Sequence, residues 1–339
     1  MKILLIQLRQ LGDILLTTPA IRSVRKRHPE CTLHVLTHSM GKLILADNPF
    51  LDEHIVLPSK GLSENLNFLR RLRKERYDIC VDFMCNPRSS FLSIVTQAPR
   101  RIGFETRRSL AYTECVPRLS GSDYIAIEKF RILKDLTTTE QDIRLDLPFA
   151  KKDSEIGRKF VHDLVSETGS TFVVCLSPTH RRDDRKWPPG HWVTMADHLA
   201  LSFNAIVVWL WGPGELEEVK ALQERTKLKT YLAPKTSFRE LAGLIAQCQL
   251  FIGNSNGPSH VSVAVNTPSI QLHGPTDAPS WCPNTPRHRF IQSPSRQMDM
   301  DVSTVINMVE KVRSETPFES ASRFQIFESL NVSEFRPQL

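Results

Sequence analysis

Short continuous apolar runs alternate along the chain with stretches whose apolar residues recur every three or four positions. Lys2 to Ile6 is the first run, the pattern of a central parallel strand buried on both faces. The polar loop Gln7 to Asp13 follows, and then a helical face built from Ile14, Leu15, Pro19, Ala20, Ile21 and Val24. That helix ends in Arg25-Lys26-Arg27 before Pro29, with cations where the helix dipole favours them. The alternation predicts further strands at 33–37, 53–57, 77–83 and 100–103, with helices at 39–46, 63–76, 87–96 and 124–136. Regular β-then-α order implies parallel strands joined by right-handed crossovers.

A polar seam at 137–141 leads into residues 143–149, which alternate like an edge strand, and a charged helix from Lys151. The pattern then restarts. Phe172 to Leu176 is as apolar as the first run, and helix 188–201, strand 205–211, helix 215–227, strand 228–232 and helix 237–246 follow it. No residue-level repeat is present, but the architecture repeats, which predicts an α/β chain of two doubly wound, parallel-sheet domains, 1–149 and 150–316. Asp301 or Ser303 caps a helix over 301–312, and Phe318, Phe324, Phe327 and Leu330 give the tail 317–339 a helical stripe suited to packing.

The most informative stretch is LFIGNSNGPSHVSVAVNTPSIQLHGPTDAPSW, from Leu250 to Trp281. It reads as strand, polar turn Gly253 to Pro258, short buried helix, strand 269–272 and a second polar loop, Gly274 to Asp277. Two such loops at neighbouring strand ends form the edge where open α/β sheets bind ligands, and a helix N-terminus there suits a phosphate. Either loop alone is as well explained by ordinary capping.

Composition narrows the partners. The 339 residues suffice for two α/β cores, and 40% apolar with 24% charged is ordinary for a globular chain. A formal charge of +7 favours an anionic partner, whether nucleic acid, membrane surface or phosphorylated substrate. Seven cysteines without a CxxC pair read as core thiols in a reducing compartment, with neither zinc nor disulfides. The apolar run before Arg9 is too short for a secretory signal and no stretch approaches a membrane span, so a cytoplasmic protein is expected.

Four places carry candidate chemistry. Gln10, Gly12 and Asp13 end the first strand: the glycine lets a ligand approach the backbone, and the carboxylate either faces the crevice or caps the helix. Thr179 precedes Arg181, Arg182, Arg185 and Lys186, which are either a diphosphate clamp or a solvated loop held by Trp187. Glu215, just past Gly212, either holds ribose hydroxyls or caps a helix. Residues 70–108 hold ten basic against four acidic side chains. Arg70 to Arg76 fit a solvated helix face, whereas Arg88, Arg100 and Arg101 lie at element ends near the crevice.

The segments ILLIQLRQLGDILLTTPAIRSVRKRHP, RKWPPGHW, GNSNGPSH and LHGPTDAPSW, in that order across nearly the whole chain, resemble the ADP-heptose:lipopolysaccharide heptosyltransferases, glycosyltransferase family 9. The resemblance implies GT-B architecture: two Rossmann-like domains facing a cleft, acceptor in the first, nucleotide-sugar in the second, and a C-terminal tail helix reaching back to the first. Asp13 falls on the family's general base, and Gln10, Gly12, Arg88, Arg100 and Arg101 would then meet an anionic lipopolysaccharide core acceptor. Thr179, Arg185, Lys186, Gly212, Glu215, Asn254, Ser255, Asn256, Gly257, Pro258, His260, Thr276 and Asp277 would surround ADP-heptose or a related nucleotide-sugar. Where members usually carry Asp-Ser or Asp-Thr, the carboxylate holding sugar hydroxyls, this chain has Ser255-Asn256. The implied reaction is a single inverting displacement without metal or other cofactor, at the inner face of the inner membrane. An epimerase of the same fold and a non-catalytic nucleotide-sugar binder are the alternatives. A nucleic-acid binder is the weakest, since no helix-turn-helix, aromatic-basic interleaving or zinc pattern accompanies the charge.

Overall fold

The computed structural model describes residues 1–59, 61–118, 123–139 and 142–316, so the expected tail helix at 317–339 lies outside the described residues. Two six-stranded sheets are present, every strand paired parallel to its neighbours. The first comprises β1 (Lys2–Ile6), β2 (Thr32–Thr37), β3 (Glu53–Val56), β4 (Ile79–Asp82), β5 (Arg100–Phe104) and β6 (Glu114–Val116), in the order β3-β2-β1-β4-β5-β6. The second comprises β7 (Val173–Ser177), β8 (Ile206–Trp209), β9 (Tyr231–Leu232), β10 (Leu250–Asn254), β11 (Ser269–His273) and β12 (His288–Gln292), in the order β12-β11-β10-β7-β8-β9. Both have the doubly wound order, with switch points between β1 and β4 and between β7 and β10. By contacts the chain divides into two compact units, Met1–Pro148 and a second from Phe149 onward.

The apolar runs predicted the central strands because burial on both faces demands Val, Ile and Leu throughout, and Ile3 to Ile6, Val174 to Leu176 and Leu250 to Ile252 are indeed sealed from solvent. One expectation fails. Residues 143–149 form no strand: Leu145 and Leu147 are buried as their alternation requires, but the backbone is held by a side chain. Arg22 donates to the carbonyls of Asp142 (2.9 Å) and Arg144 (2.8 Å) and pairs with Asp146. Thr18 Oγ1 accepts the Asp146 N–H at 2.8 Å. The segment packs on the helix Thr18–Arg27 instead of joining a sheet.

In the second unit the helix Lys151–Thr168 crosses the helix Phe238–Ile245 through two glycines. A Cβ on Gly157 would stand 2.5 Å from Leu244 Cα, and one on Gly243 would stand 2.6 Å from the Asp153 carbonyl oxygen. Backbone cannot retreat as a flexible side chain can. Gly157→Ala should therefore lower stability by about 1–3 kcal/mol, although alanine alone improves helix propensity by about 1 kcal/mol. Urea denaturation giving a more stable variant would show that the crossing is not close-packed.

Candidate active site

In the second unit, four adjacent strands bring their carboxyl ends together around the switch point. The loop after β10 and the loop after β7 are sewn to each other by two asparagines. Asn254, fully buried, donates to the Pro178 carbonyl at 2.6 Å and accepts the Trp187 N–H at 3.2 Å. Asn256 caps the helix Gly257–Ala264 by accepting from Ser259 N–H, while its amide donates to Ser177 Oγ and the Thr179 carbonyl, both at 2.9 Å. Pro258 occupies the first turn of that helix, and nothing lies within 4 Å of where a Gly257 Cβ would be, so a ligand can reach the helix N-terminus. Ser255 N–H donates to the Leu272 carbonyl at 3.2 Å, tying this turn to β11.

Glu215 does not cap the helix that it precedes. Its Oε2 accepts the Thr179 hydroxyl at 2.8 Å and the Gly212 N–H at 2.7 Å, joining the loops after β7 and β8. The Thr179 proton is thus already committed to a carboxylate. Trp187 anchors the basic loop: it is buried, donates from Nε1 to the Met300 carbonyl at 2.8 Å and meets Trp192 edge-on at 5.1 Å. Within that loop Arg182 pairs with Asp184, and Lys186 with Glu218 and Asp183. The Lys186 pairing with Glu218 holds its ammonium charged beyond the usual lysine range. Arg185 differs, for its Nε is buried with no hydrogen-bond partner among the described residues.

Two histidines complete this edge. His260 is buried, its Nδ1 has no partner among the described residues, and burial lowers its pKa to about 4. His273, ending β11, shares a 3.0 Å hydrogen bond between Nδ1 and Thr276 Oγ1; burial, with His260 nearby, lowers it to about 3. Both are neutral at pH 7. Asp277 accepts the Ser280 hydroxyl at 2.7 Å beside them. Gln271, sealed within β11, also has both amide atoms without a partner among the described residues.

In the first unit, Asp13 sits in the first turn of the short helix Leu11–Leu15, directly after β1. Its Oδ2 accepts the Gln10 N–H at 2.9 Å, and Oδ1 has no protein partner among the described residues. Asp13 therefore caps and still presents an oxygen. Gly12 and Asp13 are half-exposed and Gln10 exposed. Arg88 lies at the carboxyl edge beyond β4, where Asn86 caps the following helix. His38, beyond β2, has its proton affinity lowered by burial and then by Arg88 and Arg9, which groups two arginines with this histidine at one edge.

Arg100 and Arg101, expected beside Arg88, are a correction. They begin β5, at the amino end of the sheet, and both are committed: Arg100 to Glu114 and Asp135, Arg101 to the carbonyls of Ala111 (3.0 Å) and Ala98 (2.8 Å). Reading strand direction would have separated them, because only a strand's last residues reach the ligand edge. Sequence reasoning also passed over Lys129. It occupies an apolar-face position of the helix Ile125–Leu133, between Ala126 and Leu133, and that placement was the available signal.

A family model described as glycosyltransferase family 9 (heptosyltransferase) matches residues 65–308. The chain is 27% identical over 290 residues to a lipopolysaccharide heptosyltransferase 3 of Escherichia coli, covering 80% of this chain and 83% of the relative. Among solved structures it is similar to the glycosyl transferase family 9 protein from Veillonella parvula DSM 2008, with a TM-score of 0.78, 22% identity, and 93% and 97% of the two chains covered. It is also similar to the Escherichia coli heptosyltransferase WaaC with ADP, with a TM-score of 0.70, 21% identity, and 93% and 99% covered. Two doubly wound sheets of GT-B type and a family match over most of its length identify this chain as a glycosyltransferase belonging to glycosyltransferase family 9, the heptosyltransferases.

Proposed function

We propose that this protein transfers a heptose from ADP-heptose to the inner core of lipopolysaccharide, with the acceptor held by residues 1–149 and the donor by residues 150–316. The observation carrying this reading is the convergence of polar donors at the carboxyl ends of β8, β7, β10 and β11: the Arg185 guanidinium and the neutral His260 imidazole, each with a buried nitrogen that lacks a partner among the described residues, beside the N-terminus of the helix Gly257–Ala264. Such a set favours an anion carried by a neutral organic group. The E. coli relative's name and the ADP in the WaaC structure support nucleotide-sugar as the ligand.

In the proposed reaction Asp13 takes the proton of an acceptor hydroxyl as that oxygen bonds the anomeric carbon. The anomeric C–O bond to the β-phosphate breaks with inversion, and ADP leaves with the electron pair. The helix N-terminus, Arg185 and His260 stabilise the charge growing on the diphosphate, while Glu215, Asn254 and Asn256 hold the surrounding loops. Arg9, His38 and Arg88 at the other unit's edge suit an anionic acceptor at a membrane face; no helix among the described residues is long and apolar enough to cross a membrane.

Ser255, where family members usually carry a carboxylate, motivates the second reading, a nucleotide-sugar binder without turnover. A donor screen decides between them. Purified protein is given ADP-heptose or other nucleotide-sugars with lipopolysaccharide core acceptors, and products are read by mass spectrometry. Heptosylated core, with ADP released only when acceptor is present, is expected. Donor binding without product supports the binder, and transfer from another nucleotide-sugar alone replaces the heptose assignment.

A further inference from the structure

Lys129 lies on the buried face of its helix with only 4% of its surface exposed. A lysine in a core position is costly unless every ammonium hydrogen finds a partner. Here all three do. Nζ donates to Gln7 Oε1 at 2.8 Å, to the Asp13 carbonyl at 2.8 Å and to Thr17 Oγ1, with the Phe83 ring 5.2 Å away. Those acceptors belong to three successive pieces of chain: the residue after β1, the helix Leu11–Leu15, and the turn that starts the helix Thr18–Arg27. The pieces also bond one another, since Thr17 Oγ1 donates to the Asp13 carbonyl at 2.7 Å and Gln7 Nε2 to the Arg9 carbonyl. A five-residue helix has too few internal hydrogen bonds to hold itself in place. The ammonium supplies that hold.

We propose that Lys129 is a positioning residue for the Asp13 base: its ammonium fixes the backbone carrying the Asp13 carboxylate, and the base is correctly held only while all three hydrogen bonds persist. The inference rests on the reading of Asp13 as general base. A neutral amine has two hydrogens for three acceptors, so deprotonation releases one of the pieces. Burial lowers the Lys129 pKa to about 8, with Asp13 and Glu128 opposing the shift, which puts that release just above neutral pH. Charged groups on the other packed elements are engaged elsewhere: Arg22 with Asp142 and Asp146, Arg25 with Asp52, Arg100 with Glu114 and Asp135, Lys134 with Glu114. Arg101 is turned to backbone carbonyls, and Lys26 and Arg27 are exposed.

The test is kcat against pH for the full chain, with ADP affinity as a control, in wild type, Lys129→Met, Thr17→Val, Asp13→Asn and the Lys129→Met/Asp13→Asn double variant. Wild-type kcat should fall above about pH 8. Lys129→Met should lower kcat by about 10–100-fold through misplacement of the base, lack the alkaline fall and bind ADP as before. In the Asp13→Asn background the same change should cost no more than a few-fold, because there is no base left to misplace. Thr17→Val keeps the charge but leaves only two acceptors, which the two hydrogens of a neutral amine still satisfy, so its kcat should be lowered across the pH range and its alkaline fall lost. If Lys129→Met gives no cooperative melt, the Thr17→Val profile alone decides. A wild-type profile in Lys129→Met, or in Thr17→Val when that variant decides, overturns the inference, as does a loss additive with Asp13→Asn. Turnover retained by Asp13→Asn removes the base reading itself, a separate failure.

Discussion

Asp13→Asn is expected to lower kcat by about 10²–10⁴ while leaving folding and donor binding nearly unchanged. The carboxylate has two jobs that this near-isosteric change separates. Oδ2 accepts the Gln10 N–H at 2.9 Å, and an amide oxygen serves there equally well, because asparagine caps a helix about as effectively as aspartate. Oδ1, without a protein partner among the described residues, is the oxygen that can take a proton from an acceptor. In asparagine that position becomes an NH₂ group, which cannot accept a proton. The melting temperature and the ADP dissociation constant should stay near wild type while turnover collapses. Turnover within a few-fold of wild type would leave Asp13 as a cap and nothing more.

Much of the fold was legible because central strands of a parallel sheet leave a strong trace. Burial on both faces makes β1, β7 and β10 unbroken apolar runs, and glycine, proline and asparagine punctuate their carboxyl ends. The edges left a weaker trace. Residues 114–116 and 288–292 form β6 and β12, neither of which was expected. Each has a single neighbour in its sheet, and each includes polar or charged residues, Glu114 in one and His288, Arg289 and Gln292 in the other. Residues 143–149 failed in the opposite sense: alternation was present, but Arg22 satisfies the carbonyls that a neighbouring strand would have taken.

The candidate site divides along similar lines. Loops at strand carboxyl ends were found because turn residues mark them, and strand order then places four of those loops side by side in the second unit. Roles within the loops depend on partners far away in sequence. Glu215 was equally a cap or a ribose ligand until Thr179, thirty-six residues upstream, was seen to donate to it. Lys129 and Asp13 are 116 residues apart, so nothing local to either shows their contact. His273 and Gln271 read as ordinary strand residues, and only their burial without full pairing sets them apart.

Arg185 and Lys186, adjacent cations in one loop, should respond very differently to alanine. Lys186 already has two carboxylates, Glu218 at 2.9 Å and Asp183 at 3.2 Å, so an arriving diphosphate would have to compete with them. Removing it breaks partly exposed ion pairs, a change of about 0–1 kcal/mol, and should leave donor kcat/KM within about tenfold. Arg185 has a buried Nε without a partner among the described residues, and burial followed by the neighbouring Arg182 charge lowers its hold on its own proton. An unpaired guanidinium is a cost to the empty protein that a bound phosphate offsets. Arg185→Ala should therefore lower donor kcat/KM by about 10²–10³, the scale for losing a charge-stabilising donor, and weaken ADP binding in parallel. Its melting temperature should stay near wild type, since this half-exposed side chain has no ion pair among the described residues to lose. Calorimetric ADP titrations and thermal melts of the two variants would check this pair of expectations. Equal losses of ADP affinity in both, or a destabilised Arg185→Ala protein with normal affinity, would make Arg185 a structural cation rather than the one held ready for phosphate.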